Sequence, residues 1–257
     1  MDAVALFDPV STAENLKIAA KDLGFKVIGV FTQPLEFFKK DYHVDKEKLF
    51  KDCDEVIQEE TVEKIIEKLT DSKFRIVAAI AGPDNSVELA DHTAYSLGLY
   101  CNRFDLMASR RDKGVMRRVL KESGLPCPDF AICASEEEVK EFVRKHSFPL
   151  MIKTPKGAMT SQVYKCNDLQ TILTHFKEIY GSRDLYGNFC DHVVVEEFIE
   201  GKEYVVNSFS DGERVHITDV WGYDRVKTEH YENIYYNSIH LPFSDPIVKP
   251  LIDYAIK

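Results

Sequence analysis

Residues 193–204 read VVVEEFIEGKEY, and this stretch decides the fold. β-Branched residues favour strands, so Val193–Glu196 reads as one, with Glu196 and Glu197 at its exit. Glu203 opens a further strand, Glu203–Phe209. Ser210-Asp211-Gly212 then separates that strand from Arg214–Gly222, and Asp-Gly is a strong hairpin-turn signal. A final helix begins around Pro246–Pro250 and is still running at Lys257. Adjacent carboxylates such as Glu196 and Glu197 are in general a solvated edge, so the stretch alone does not define a site.

Upstream, Leu150–Lys153 is a strand after Phe148-Pro149, followed by the loop Thr154–Thr160 and a strand Ser161–Cys166. Lys153 follows Met151 and Ile152 on an apolar strand, where an unpaired ammonium would be costly. An internal carboxylate or a bound phosphate would each explain it. The loop offers Gly157, hydroxyls at Thr160 and Ser161, and backbone N–H groups. Such loops can cradle phosphates, although a plain hairpin turn is an equal reading. Further upstream, Ser109–Ser123 (SRRDKGVMRRVLKES) is a basic helix carrying Lys113, stopped by Gly124-Leu125-Pro126. About 40 residues separate Lys113 from Lys153, and Lys153 from Glu196. A strand Phe130–Cys133, a helix opened by the capping-box spacing Ser135/Glu138, and a helix from Asp168 or Leu169 to about Tyr180 complete a small two-layer α+β unit.

Residues 1 to about 103 have a different rhythm. Ala3–Phe7, Lys26–Phe31, Glu55–Ile57 and Phe74–Ala81 are short apolar runs alternating with helical stretches, the pattern of an open parallel α/β domain. The turn after the first strand, DPVSTAEN, lacks the glycine fingerprint of a dinucleotide fold. Ser11 or Thr12, and the Gly82-Pro83-Asp84 turn, put helix N-termini at the carboxyl ends of strands, where such sheets bind ligands. They read equally as plain caps.

The composition sets outer limits. The chain has 257 residues, 44% hydrophobic and 30% charged, with 33 basic and 43 acidic residues for a net charge of −10. That balance disfavours nucleic acid and acidic membranes as partners. No apolar run approaches the ~20 residues of a membrane span. The N-terminus does not read as a signal peptide, and the six cysteines contain no CxxC pair. Reduced thiols in a cytoplasmic protein follow as the expectation.

Three segments together resemble the ATP-grasp superfamily. RDKGVMRRVLKESGLPCPDF resembles its lysine-bearing entry helix and Gly-x-Pro-x-Pro turn. FPLMIKTPKGAMTSQVY resembles its lysine strand and small-residue loop, and HVVVEEFIEGKEYVVN its hinge. The resemblance implies α/β architecture, with a pre-ATP-grasp domain at 1–103, a small ATP-grasp subdomain at 104–190 and the start of a large subdomain at 191–257. It implies that Lys113 and Lys153 contact nucleotide phosphates, and that the loop bearing Gly157, Thr160 and Ser161 closes over them. Glu196 would lie at the adenine, the backbone of Glu197, Phe198 and Ile199 would read the adenine edge, and Glu203 would hold the ribose. Met159 and Gln162 depart from the small residues usual in that loop. Arg225 and Lys227, after the hairpin, are the catalytic candidates, since an arginine there could bind a substrate carboxylate; a solvated strand end is the other reading.

The resemblance further implies an ATP-dependent ligase that joins a carboxylate to an amine through an acyl phosphate. The implied cofactors are ATP and Mg²⁺. The metal ligands are expected beyond residue 257, which makes this chain a fragment expected to be inactive by itself. DPVST and VWGYDR look most like the amino-acid ligases of the superfamily. Small-molecule carboxylate and amine substrates are the implied partners, with a homodimer allowed. A non-catalytic nucleotide-binding module, or a biotin- or purine-type carboxylase, remains the alternative.

Overall fold

The computed structural model describes residues 1–158, 161–226 and 234–257, with no side-chain description for Ile234. Met159, Thr160 and Lys227, all named above, lie outside these residues. The described chain divides into two compact units, Met1–Phe198 and Ile199–Lys257.

The first unit opens with β1 (Asp2–Phe7), α1 (Glu14–Asp22), β2 (Lys26–Phe31), α2 (Leu35–Asp41), α3 (Lys46–Phe50), β3 (Glu55–Gln58), α4 (Val62–Thr70), β4 (Arg75–Ala81) and α5 (Val87–Ser96). The four strands form a parallel sheet in the order β3-β2-β1-β4. Helices joining parallel neighbours cover the sheet, so Ala3, Ala5, Phe7, Ile28 and Val30 have essentially no exposure. The chain order reverses between β1 and β4, which puts the turns after Phe7 and Ala81 side by side at the carboxyl edge. Their closeness requires Gly82: a Cβ there would meet the carbonyl oxygens of Asp8 and Phe7 at 2.6 and 2.8 Å.

The expected caps at this edge are not made. Ser11 sits in a 3-10 turn at φ +56°, and neither it nor Asp84 gives a side-chain hydrogen bond to its helix start. The edge instead buries Asp8, whose carboxylate accepts from the N–H of Thr32 at 2.7 Å and from its hydroxyl at 2.5 Å. Burial pushes the Asp8 carboxyl up to about 6, against the pull of the Thr32 hydrogen bonds.

The unit continues with α6 (Lys113–Glu122), β5 (Phe130–Cys133), α7 (Glu136–Val143), β6 (Leu150–Lys153), β7 (Val163–Cys166), α8 (Leu169–Ile179) and β8 (Val193–Glu197). Its sheet is antiparallel, in the order β5-β8-β6-β7. β8, grouped by sequence with the last segment of the chain, is here a central strand of this sheet. Val193, Val194 and Val195 are fully buried, each worth ~1.5–3 kcal/mol relative to exposure. Half of the expected capping box is made: Ser135 Oγ accepts from Glu138 N–H, while the Glu138 carboxylate accepts from the N–H of Ala134, one residue before the cap. The basic helix starts four residues later than its composition suggests. Residues Phe104–Arg110 form a 3-10 segment, and Asp112 rather than Ser109 caps α6, accepting from Gly114 and Val115 N–H.

In the second unit β9 (Glu203–Ser210), β10 (Val215–Val226) and β11 (Ile234–Leu241) form an antiparallel sheet in the order β11-β10-β9, and α9 (Val248–Ala255) packs on β9. Asp211 and Gly212 make the expected turn, with Gly212 at φ +92° and Asp211 Oδ1 accepting from the next two N–H groups.

Candidate functional site

The first unit gathers its cations around the loop between β6 and β7. Lys113 is the first residue of α6, and its backbone N–H donates to Pro155 O at 3.0 Å. Its ammonium donates to Gly157 O at 2.7 Å and lies 3.5 Å from Pro155 O. Arg111, 8% exposed, donates to Lys156 O at 2.8 Å. Two cations thus grip three consecutive carbonyl groups of the loop. Gly157 is required by space as well, because a Cβ there would collide with the buried Thr154 methyl group. Ser161 donates its N–H to Ala158 O at 3.1 Å and Thr154 donates to Gln162 O at 3.1 Å, which closes the loop's base.

Lys153 has an internal carboxylate as its partner. Its ammonium pairs with Glu196 on the neighbouring strand β8, and Glu196 also accepts from Arg117 Nε at 2.9 Å. Glu196 is 5% exposed, and its carboxyl group is held below the ordinary range. Burial alone would raise it, but the Arg117 hydrogen bond and the Lys153 charge outweigh burial. The Glu196 side chain therefore locks Lys153 and Arg117 together at the strand end.

Lys113 is left as the less satisfied cation. Among the described residues its ammonium rests on carbonyl oxygens and no carboxylate pairs with it. Burial, with Lys153 and Arg111 close by, lowers it to about 8. A lysine on a charged helix is ordinarily solvated; here the helix start points it into the loop. An added anion would relieve both the crowding of positive charge and the missing counter-charge.

Sequence reading missed Arg111, Arg117, Asp112 and His192. Arg117 lies four residues after Lys113 on α6, so both face the same side; that spacing was the available signal. Asp112 caps α6 with one oxygen, and its other oxygen lies 3.3 Å from His192 Nε2. The Asp112 hydrogen bond raises the His192 imidazole, burial opposes it, and Asp191 adds to the rise. Asp112 and His192, with Pro155, Lys156 and Asp184, border a cavity of about 350 Å³ beside the loop.

Three contacts join the loop region to the parallel-sheet region within the same unit. Lys156 Nζ lies 2.8 Å from Glu88, Arg111 lies 3.6 Å from Asp84, and the Tyr186 ring lies 6.5 Å from that of Phe37. The nearby acidic side chains are committed: Glu88 to Lys156, Asp112 to its cap and His192, and Asp184 to the N–H groups of Tyr186 and Asn188. Glu88, Asp112 and Asp184 therefore do not offer Mg²⁺ the free carboxylate oxygens it needs.

Phe198 lies under the Lys165 ammonium at 3.8 Å, Ile199 is 64% exposed, and Glu197 accepts from Asp129 N–H at 3.0 Å. In the second unit Glu203 and Arg225 are brought together directly. The Arg225 guanidinium pairs with the Glu203 carboxylate, and Tyr235 donates its hydroxyl to Glu203 at 3.0 Å. The residue expected to hold a ribose and the residue expected to hold a carboxylate thus engage each other.

Residues 111–229 match the family model described as phosphoribosylglycinamide synthetase, ATP-grasp (A) domain. Dapdiamide A synthase of Enterobacter agglomerans is 26% identical over 245 residues, covering 90% of this chain and 57% of its own length. Phosphoribosylamine–glycine ligase of Streptococcus pneumoniae is 25% identical over 158 residues, 56% of this chain and 37% of that protein. The crystal structure of an L-amino acid ligase from Bacillus licheniformis shares the fold, with a TM-score of 0.71 at 16% identity, over 100% of this chain and 59% of that one. The chain thus spans little more than half the length of the relatives it matches along nearly all of itself. The family match includes the cation-lined loop, the alignment with dapdiamide A synthase runs along nine-tenths of the chain and the fold is shared with the L-amino acid ligase, so the chain is similar to ATP-grasp proteins along nearly its whole length.

Proposed function

We propose that this chain carries the phosphate-binding half of an ATP-dependent ligase that joins a carboxylate to an amine, with amino-acid-like substrates. The observation that carries the proposal is Lys113, a partly buried ammonium without a carboxylate partner among the described residues, aimed at a glycine loop beside Lys153. A nucleotide's phosphates are the anions such a group calls for. In this reading Lys113 binds phosphate oxygens directly. Lys153, tied to Glu196, contributes a fixed positive charge, while Gly157 and Ser161 let the loop backbone approach the phosphates. The backbone of Glu197 to Ile199 is assigned to the adenine edge and Glu203 to the ribose.

ATP supplies the phosphoryl group that converts a carboxylate to an acyl phosphate, which an amine then opens with loss of phosphate. The protein's part is to hold the charges in place and to exclude water. Arg225 is assigned to an anionic substrate group, for which it must leave Glu203. The amino-acid preference is supported by the alignment with dapdiamide A synthase.

The test is phosphate release from ATP, screened across single amino acids, amino-acid pairs and bicarbonate. Release that requires an amino-acid pair supports the ligase. Release that requires bicarbonate moves the protein to the carboxylases, and ATP binding without release under any condition leaves a binding module.

A further inference from the structure

A second cluster lies on the sheet edge away from the loop. Asp129 precedes β5, His146 follows α7, and Glu197 ends β8. One ligand atom from each lies within 4.8 Å of the other two. Asp129 and Glu197 are joined twice: Asp129 N–H donates to Glu197 Oε2 at 3.0 Å, and Glu197 N–H donates to Asp129 O at 3.0 Å. The two bonds hold the Glu197 carboxylate against the Asp129 backbone.

The histidine is oriented for metal binding. Its ring stacks on Phe142 with centroids 3.9 Å apart, and its side chain is 17% exposed. Nδ1 lies 2.9 Å from the carbonyl oxygen of Phe142. A carbonyl can only accept, so the proton is on Nδ1 and Nε2 is the free nitrogen. Such a hydrogen bond from the far nitrogen to a carbonyl is the usual companion of metal-ligating histidines.

Nε2 lies 3.6 Å from Asp129 Oδ2. That is too long for a hydrogen bond. It is close to the ~3.4 Å edge of a tetrahedron whose bonds are about 2.0–2.1 Å, the zinc–nitrogen and zinc–oxygen lengths. The other Asp129 oxygen is 3.3 Å from Lys121 Nζ, and Glu197 Oε2 is held by the Asp129 N–H. Asp129 and His146 thus each keep one atom for the protein and turn the other toward the cluster. One nitrogen with two carboxylate oxygens suits a borderline cation better than Mg²⁺ or Ca²⁺, which take oxygen alone.

We propose that Asp129, His146 and Glu197 form a site for a zinc-class divalent cation, three protein ligands with water completing the tetrahedron. The metal would tie the entry of β5 to the exit of β8.

The experiment uses the chelator-stripped chain and titrates it with Co²⁺, following visible absorption, then displaces Co²⁺ with Zn²⁺ in a calorimeter. One equivalent should bind with the spectrum of tetrahedral nitrogen and oxygen coordination. His146→Gln should weaken binding by ~100-fold or more, at or beyond the 10–100-fold cost of losing an outer partner. Asp129→Asn, which keeps the backbone bonds, should weaken it similarly, and thermal melting of both variants confirms that they fold. His175→Gln, at a surface histidine paired with Glu178, should leave it unchanged. The chain also has free cysteines, Cys53, Cys101 and Cys127 among those not fully buried. A thiolate-to-cobalt charge-transfer band with affinity unchanged in His146→Gln would put the metal on sulfur and overturn the proposal. So would the lack of a saturable equivalent at micromolar Zn²⁺.

Discussion

If Lys113 holds the phosphates as proposed, it couples nucleotide binding to a proton. Burial and the neighbouring cations lower its ammonium to about 8, so at pH 7 it is mostly charged and at pH 9 mostly neutral. A bound phosphate would return it toward the ordinary ~10.4 of a lysine, because the anion offsets the charges of Lys153 and Arg111. Affinity then scales with the charged fraction of the free protein. Between pH 7 and pH 9 that fraction falls about tenfold, which is ~1.4 kcal/mol of binding free energy. At pH 8 the complex should take up about half a proton per nucleotide. A terminal phosphate with a pKa near ~6 is already ionised over this range and adds little slope. Calorimetry of ATP binding in two buffers of different ionisation enthalpy measures the uptake directly. Lys113→Met should bind ~10–150-fold more weakly at pH 7, the ~1.5–3 kcal/mol of one charge-assisted hydrogen bond, with no proton uptake. Lys113→Arg, charged throughout, should recover affinity without the pH slope. Equal slopes in the wild-type chain and in Lys113→Met would refute the assignment of Lys113 to the phosphates.

Three further perturbations probe the frame of the site. Glu196→Gln leaves the partly buried Lys153 and Arg117 without their counter-charge and should cost up to ~3–5 kcal/mol in urea unfolding. The folded Glu196 pKa is depressed, so its stabilisation is present above the unfolded value near 4.5 and fades as pH falls through the folded value; the two unfolding curves should converge on the acid side. Gly157→Ala forces a methyl group against Thr154 and should cost ~1–3 kcal/mol, with ATP affinity reduced as the loop shifts; unchanged melting and affinity would remove the steric argument. Asp112→Ala removes the α6 cap and should cost ~0.5–2 kcal/mol. It should also abolish most of the His192 shift, measurable by NMR titration. Because the folded His192 pKa is raised, its stabilisation is full below ~6.5 and is lost as pH rises through the folded value.

Physical reasons separate what was legible in the sequence from what was not. The parallel strands were readable because strands buried on both faces are apolar almost throughout, as in β1 and β2; β4 reads as equally apolar but is an edge strand, only partly buried, with Ile80 40% exposed. The Asp211-Gly212 turn was readable because its backbone needs a positive φ that glycine supplies. Helices α2 and α3 and strand β11 were not anticipated: the first two are only seven and five residues long, too short for a helical period to stand out. The onset of α6 was misplaced because serine and aspartate both cap well, and only the geometry selects Asp112. Motif spacing singled out Lys113, Lys153 and Glu196 as candidates. It did not say that Glu196 answers the charge of Lys153, since strand pairing between β6 and β8 is a long-range fact. Nor could spacing show that Glu203 and Arg225 meet across neighbouring antiparallel strands.

The Lys156–Glu88, Arg111–Asp84 and Phe37–Tyr186 contacts bear on how this chain can be recombined with its relatives. A chimaera cut near residue 103 would separate each cation or ring from its counterpart and leave Glu88, Asp84 and Phe37 facing a foreign surface. A cut between Phe198 and Ile199 keeps all three pairs in one parent. The first 198 residues are therefore the exchangeable cassette: a graft that alters the parallel-sheet edge must bring the loop between β6 and β7 with it.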